Sequence, residues 1–433
     1  MVGQESGAGL RGRGRRSTRG VGRLGWVLAS LLFLAAHPAI SQESETLRTL
    51  EVEALNTLSR GEDMDEWDLG GLGRAELDYQ SRGSRWVRSR LNIRADIADT
   101  ADGTDLRLTI PRAFVRARFP LGERYLFRTT FGKSRVTWGD GALYNAGDLV
   151  FGAEGRRADL FSTAAIRDET DWLVTAFFPL GQFAFVEPVV LVPETRIVEG
   201  AGTPAGQEAG SAETESGAVT TAEDQILLDS PSFDETAVGS RIQWKLANIK
   251  METGYIFRGA DETQDLSFSA QGNMLVDLYG GIATTLGPGP DPYEAMRLSA
   301  GTLHQLRYGA GSVLSFRLEG LLYPDGEWQE LSEEEILDRA AAEGSTGGSP
   351  ARYALSLFPE ISWSPSESVA LFGRVLVSPI DFSALWIAGS EWNIYEGLTL
   401  GTYLSVQSGG ELDTYGFDQT GGAAVTTSVR YVF

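Results

Sequence analysis

The chain of 433 residues has no cysteine, only two histidines, and 37 Lys and Arg against 59 Asp and Glu. Without cysteine it can form no disulfide and carry no lipid on a Cys near its start, which excludes a disulfide-stapled secreted domain and a lipoprotein. Of the histidines, His37 lies in the stretch expected to be removed as an export signal and His304 stands without a surrounding motif, so acid–base or Ser–His catalysis would rest on one candidate. A formal net charge of -22 makes the chain a poor partner for nucleic acid. Long apolar runs are missing as well; none reaches the roughly 20 residues that a spanning helix needs.

The longest apolar run, Leu24 to Ala36, follows Arg11, Arg13, Arg15, Arg16, Arg19 and Arg23 and precedes the small residues Ala39 and Ser41. Basic start, short greasy centre and small-residue exit predict an export signal over residues 1–41. Residues 42–71 are expected to form a leader outside the main fold. In residues 43–60, "ESETLRTLEVEALNTLSR", Leu47, Leu50, Ala54, Leu55 and Leu58 lie near one face of a short amphipathic helix.

From residue 72 onward the period is two. In "RWVRSRLNIRADIAD" Val87, Leu91, Ile93, Ala95 and Ile97 share one face and Arg88, Arg90, Asn92, Arg94 and Asp96 the other. Segments of this kind number 16 between residues 85 and 433; "GRAELDYQSR" (73–82) also alternates but would make the count odd, and is expected to be a lead-in. Tight turns such as "FPLGER", "FPLGQF", "YGAGS" and "IYEGL" alternate with long connections at 139–168, 194–235 and 324–351. Residues 194–235 hold ten acids and one Arg, and 324–351 eight acids and one Arg, so much of the negative charge is confined to loops.

Short turns at one end and long acidic loops at the other predict an all-β fold: a transmembrane antiparallel barrel of about 16 strands, within a range of 14–18, spanning residues 72–433. Closure follows from hydrocarbon, in which a sheet edge would leave backbone N–H and C=O groups unpaired. The C-terminal "AAVTTSVRYVF" alternates to its last residue, as a strand that closes the barrel should, and its end resembles the signature of outer-membrane barrels read by the barrel-assembly machinery, with Tyr431 and Phe433 as the signal.

If the apolar rows face lipid, the alternate rows line the lumen. These carry Arg88, Arg90, Arg94, Arg112, Arg116, Arg118, Arg241 and Lys245. In 105–119 the phase flips, and Pro111 at the flip predicts a bulge. Such an arginine wall would concentrate anions. Equally, the arginines could pair with Asp96, Glu252, Glu319 and Glu391 across a wet interior.

The stretch "FGKSRVTWGDGALYNAGDLVFG" (131–152), with the preceding "PRAFVRARFPLGERYLFRTTFGK", resembles porin-like outer-membrane proteins in which a basic strand ends in Trp-Gly-x-Gly. The resemblance implies Lys133 and Arg135 as a basic pair, Trp138 to Gly141 as a strand-ending corner containing Asp140, and Asn145 and Asp148 as polar groups of a loop that narrows the channel. The resemblance does not fix a substrate; the chain as a whole is expected to be a channel in outer-membrane lipid for diffusion of small polar or anionic solutes, with oligomers possible and with no metal, cofactor or catalysis. The alternatives are a non-conducting barrel whose acidic loops bind a partner or polymer, and a barrel hydrolase using His304.

Overall fold

The computed structural model describes residues 46–60, 67–81, 86–100, 103–122, 125–155, 158–163, 165–193, 196–198, 227–229, 235–288, 291–309, 311–332, 334–336, 353–410, 413–416 and 422–433. The export signal expected over 1–41 lies outside the described residues. The strands are β1 (Thr46–Arg60), β2 (Trp67–Ser81), β3 (Val87–Thr100), β4 (Gly103–Leu121), β5 (Tyr125–Ser134), β6 (Asp171–Pro179), β7 (Ala184–Leu191), β8 (Arg196–Val198), β9 (Leu227–Asp229) and β10 (Ala237–Leu246). They continue as β11 (Ile249–Arg258), β12 (Thr263–Asn273), β13 (Asp277–Leu286), β14 (Arg297–Tyr308), β15 (Ser312–Leu322), β16 (Leu355–Ser366), β17 (Val369–Ser378), β18 (Ser383–Tyr395), β19 (Leu398–Ser408) and β20 (Ala423–Val432).

Eighteen of these form one antiparallel sheet, in which β7 pairs with β10 while β8 and β9 make a separate two-stranded ribbon. The sheet closes between β20 and β1, from Glu51 opposite Val432 to Ser59 opposite Ala424. Phe433 adds one more bond, its N–H donating to Leu50 O at 2.8 Å. The fold is therefore a closed barrel without free edges.

The 16 alternating segments are β3–β7 and β10–β20; the leader is corrected. Residues 46–60 form β1, not a helix, and 67–81 form β2. The helical reading failed because Leu50, Ala54 and Leu58 are spaced by four, which fits a period of 3.6 and a period of 2 alike. In the barrel they share the outward row with Val52 and Asn56, opposite Leu77, Gly73 and Leu69 of β2. Adding two strands keeps the count even, so both chain ends of the barrel stay on the short-turn side.

At Pro111 the expected bulge is present. Asn92 pairs with Arg112 and Arg94 with Thr109, leaving Ile110 and Pro111 opposite Ile93 alone. The shift lets Leu106 and Leu108 point outward above the bulge while Arg112, Arg116 and Arg118 point inward below it. Outward rows are predominantly apolar: Leu69 is 63% exposed, Leu108 71%, and Leu91 and Ile242 are exposed too. At the short-turn end aromatic rings cluster on this face, with Phe127 and Phe178 centroids 4.6 Å apart and Tyr431 and Phe433 4.4 Å apart. An apolar band with an aromatic rim is the outer surface of a barrel solvated by hydrocarbon.

Candidate functional site

Between β5 and β6, residues 135–155, 158–163 and 165–170 fold into the barrel. The corner Trp138-Gly139-Asp140-Gly141 turns the chain inward. Gly139 (φ +67°) and Gly141 (φ +155°) are required there, since a Cβ would meet Asn145 Oδ1 at 2.5 Å and Tyr144 O at 2.2 Å respectively. Trp138 is fully buried and lies over Gly254 of β11, where a Cβ would reach its ring at 3.0 Å. Asn145 Nδ2 donates to Trp138 O at 2.8 Å and ties the corner to the loop that follows.

Three apolar patches dock the loop; in the smallest, Leu160 packs on Phe372, Ile387 and Tyr403 of β17, β18 and β19, and the Phe161 ring meets Tyr403 edge-on at 5.5 Å. Val136, Trp138, Leu149, Val150 and Phe151 pack with inward residues of β6, β7, β10, β11 and β13, including Leu173, Val189 and Ile256. Leu143, Tyr144, Ala153 and Ile166 pack with Leu321 of β15, Phe358 of β16 and Leu376 of β17. Apolar side chains on otherwise polar inward rows are the signal that could have revealed this contact from sequence.

Polar bonds fix the position. Gly139 N–H donates to Glu252 Oε1 at 2.6 Å, and Ala142, Leu143 and Tyr144 N–H donate to the Glu319 carboxylate at 2.7, 2.8 and 2.9 Å. Ala146 N–H donates to Ser299 Oγ at 2.9 Å, Arg258 Nη2 donates to Leu149 O at 2.7 Å, and Asp140 pairs with Lys250 at 2.6 Å. On the return arm Arg374 donates to Leu160 O at 2.6 Å and Thr163 to Glu391 at 2.7 Å.

Inside the loop, buried Arg167 pairs with Asp148 at 2.8 Å and Glu169 at 3.2 Å. Val150 and Phe151 N–H also donate to Asp148 Oδ1, each at 3.1 Å. Burial nevertheless pushes the Asp148 carboxyl up to about 6, against the opposing pull of Arg167.

The inward arginines fall into two groups. Arg90 pairs with Asp78 at 2.8 Å and Arg94 with Glu76 at 2.7 Å, both acids on β2. Arg74 of β2 pairs in turn with Asp96 at 2.7 Å and Glu53 at 3.5 Å. Arg241 pairs with Glu187 at 2.7 Å and Glu252 at 3.0 Å. Arg112 and Arg135 share Asp168, the latter at 3.3 Å.

By contrast, Arg88, Arg116, Arg118 and Arg128 have no carboxylate within ion-pair distance among the described residues. They stand together: Arg88 is opposite Arg116, and Arg118 opposite Arg128. Arg116 donates to Thr130 Oγ1 at 3.3 Å, and the Arg128 guanidinium lies 4.8 Å from the Phe177 ring centroid. Lys245 is exposed on the inward row at the short-turn end of β10.

Lys133 departs from expectation. It lies opposite Ala113 and Trp172 on the outward row, because the inward row of β5 is Arg128, Thr130, Gly132 and Ser134. Missed from sequence were Arg317, Glu360 and Arg374, a charged chain with contacts of 2.5 Å and 2.8 Å. With Arg135, Asp140 and Tyr279 they line a cavity of about 330 Å³ beside the loop. His304 lies opposite Phe316 on the outward row, away from the inward loop and the lumen arginines.

No protein-family model and no curated protein matches the chain. Among solved structures, Acinetobacter baumannii OccAB3 is similar over 90% of this chain and 99% of that one, with a TM-score of 0.50 at 9% identity. Pseudomonas aeruginosa OccK7 (OpdD) follows at a TM-score of 0.46, 10% identity and coverage of 90% and 99%. The first likeness shows the fold, an 18-stranded porin-type barrel in this chain.

Proposed function

We propose that the chain is a diffusion channel of the bacterial outer membrane, passing small polar solutes with a preference for anions. It would be exported by its N-terminal signal and inserted by the barrel-assembly machinery through Tyr431 and Phe433. At 18 strands the interior is too wide for side chains to fill. The observation that carries the reading is the unequal cover of the inner wall. Through apolar patches the inward loop covers β6, β7, β10, β11, β13 and β15–β19, and apart from Arg112, met by Asp168, it leaves the arginines of β3–β5 facing the remaining space. Charges there are arranged for selection: acids of β2 offset Arg90 and Arg94 of β3, whereas the Arg88, Arg116, Arg118 and Arg128 cluster supplies uncompensated positive charge. The Trp-Gly-x-Gly corner supports the same reading, because it supplies the geometry that directs a constricting loop inward.

The test is electrical. Purified protein in planar bilayers should give stepwise conductance, and a salt gradient should give a reversal potential of anion-preferring sign. Silent bilayers containing folded barrel would contradict the proposal and bring the partner-binding alternative forward.

A further inference from the structure

Five backbone N–H groups of the inward loop are held by three side chains of the barrel wall, and one of these residues takes three. Glu319, only 1% exposed, sits on the inward row of β15. Its Oε1 accepts from Ala142 N–H at 2.7 Å, and its Oε2 from Leu143 and Tyr144 N–H at 2.8 and 2.9 Å. Tyr279 of β13 donates its hydroxyl to Oε1 at 2.5 Å. Arg317, on the same row, lies 3.9 Å away and is committed more closely to Glu360 at 2.5 Å. Three successive N–H groups converging on an anion form a nest, and bonds from neutral donors to a buried carboxylate are among the strong ones.

We infer that Glu319 is the positioning residue that sets the aperture of the channel, by clamping the loop backbone at 142–144 against the far wall. The clamp grips backbone, so it fixes the loop's place without specifying its side chains. The residues next to the clamp face the cavity: Asp140, Gly141 and Ala142 line it on the loop side, and Arg317, Glu360 and Arg374 on the wall side. A tip released from Glu319 would therefore move the loop side of that cavity. The other anchors act elsewhere: Glu252 holds Gly139 at the corner and Ser299 holds Ala146 beyond the tip, so a loop freed at 142–144 stays in the barrel.

This inference rests on the channel reading, and its test has one arm that does not. In bilayers, Glu319→Ala should lower mean single-channel conductance about two-fold with added flicker, and should exclude larger sugars in liposome swelling, because a tip freed from the far wall moves into the space between the loop and the arginine wall. Glu319→Asp, with a shorter reach to the same donors, should fall between. Because the chain has no cysteine, Ala142→Cys provides a unique site for a nitroxide. In the Glu319→Ala background its spectrum should show a mobile label, and with Glu319 intact an immobile one, whether or not the protein conducts.

Heat-modifiable migration on gels establishes that each variant is a folded barrel. If Glu319→Ala does not fold, the Glu319→Asp and label arms carry the test. Unchanged conductance and an unchanged spectrum in folded variants would overturn the clamp. A silent wild type with a mobilised label would overturn the channel reading and leave the clamp standing.

Discussion

The two sides of the inner wall handle polar groups in opposite ways. On β10–β17, buried carboxylates are spent on the loop: Glu252 and Glu319 receive its N–H groups, and apolar patches around Ile256 and Phe358 exclude water. On β1–β5 the loop touches the wall only at its return end, where Asp168 meets Arg112 and Thr170 bonds Pro111 O; the other charges either neutralise one another between neighbouring strands or, at the short-turn end, remain uncompensated. The first side is an interior in the usual sense, with satisfied polar atoms and packed side chains. The second is a wetted surface turned inward. Position relative to the loop, more than residue type, decides whether an inward arginine is structural or available to a solute.

The largest expected effect lies on the open side. Arg116→Glu combined with Arg118→Glu places two acids in the uncompensated cluster and should move the reversal potential from anion-preferring to cation-preferring. A double variant that keeps anion preference would erase the distinction drawn between the two arginine groups. Next comes the covered side, where Trp138→Ala removes the largest side chain of the docking patch. It should cost about 3–5 kcal/mol in chemical unfolding from detergent or lipid, in the range of large-to-small core changes. A loss below about 1 kcal/mol would mean that the patch is not packed as a core.

Smaller effects sharpen the comparison. Asp148 has its carboxyl raised to about 6 from the ordinary 3.8 by burial. The folded loop therefore binds the proton more tightly than the unfolded chain does, and stability should fall as pH rises between these values and level off above them. Asp148→Asn should flatten that slope; a stability that rises with pH over the same window in wild type but not in the variant would contradict the assignment. Glu76→Gln with Arg94→Gln removes a neutral pair and should leave ion selectivity unchanged, whereas Arg94→Gln alone leaves Glu76 uncompensated and should weaken anion preference. Lys133→Glu, on the outward row, should change selectivity least of all.

Much of this architecture is legible in the sequence because a barrel repeats one rule. Alternation at period two marks 16 of the 18 strands, Pro111 marks the bulge, and the Trp-Gly-x-Gly corner marks the turn inward. β1 was hidden because residues 50, 54 and 58 satisfy two periods at once, and β2, whose alternation over 73–82 is visible, was set aside because without β1 it made the strand count odd. Lys133 was placed inward by motif, although the register of β5 against β4 turns it out. Partners were harder still. Arg90 and Arg94 take acids from β2, the strand left out of the count, and the residues that hold the loop lie more than 100 positions away on β11, β14 and β15. Nothing in the local pattern around Glu319 separates a clamp from an ordinary inward acid.

The central claim is that water and solute pass between the inward loop and the bare arginine wall. Its most direct test is the reversal potential of single wild-type channels under a KCl gradient. Discrete openings whose current reverses on the chloride side of zero are predicted. Absence of current from a folded, inserted barrel, or reversal on the potassium side, would contradict it.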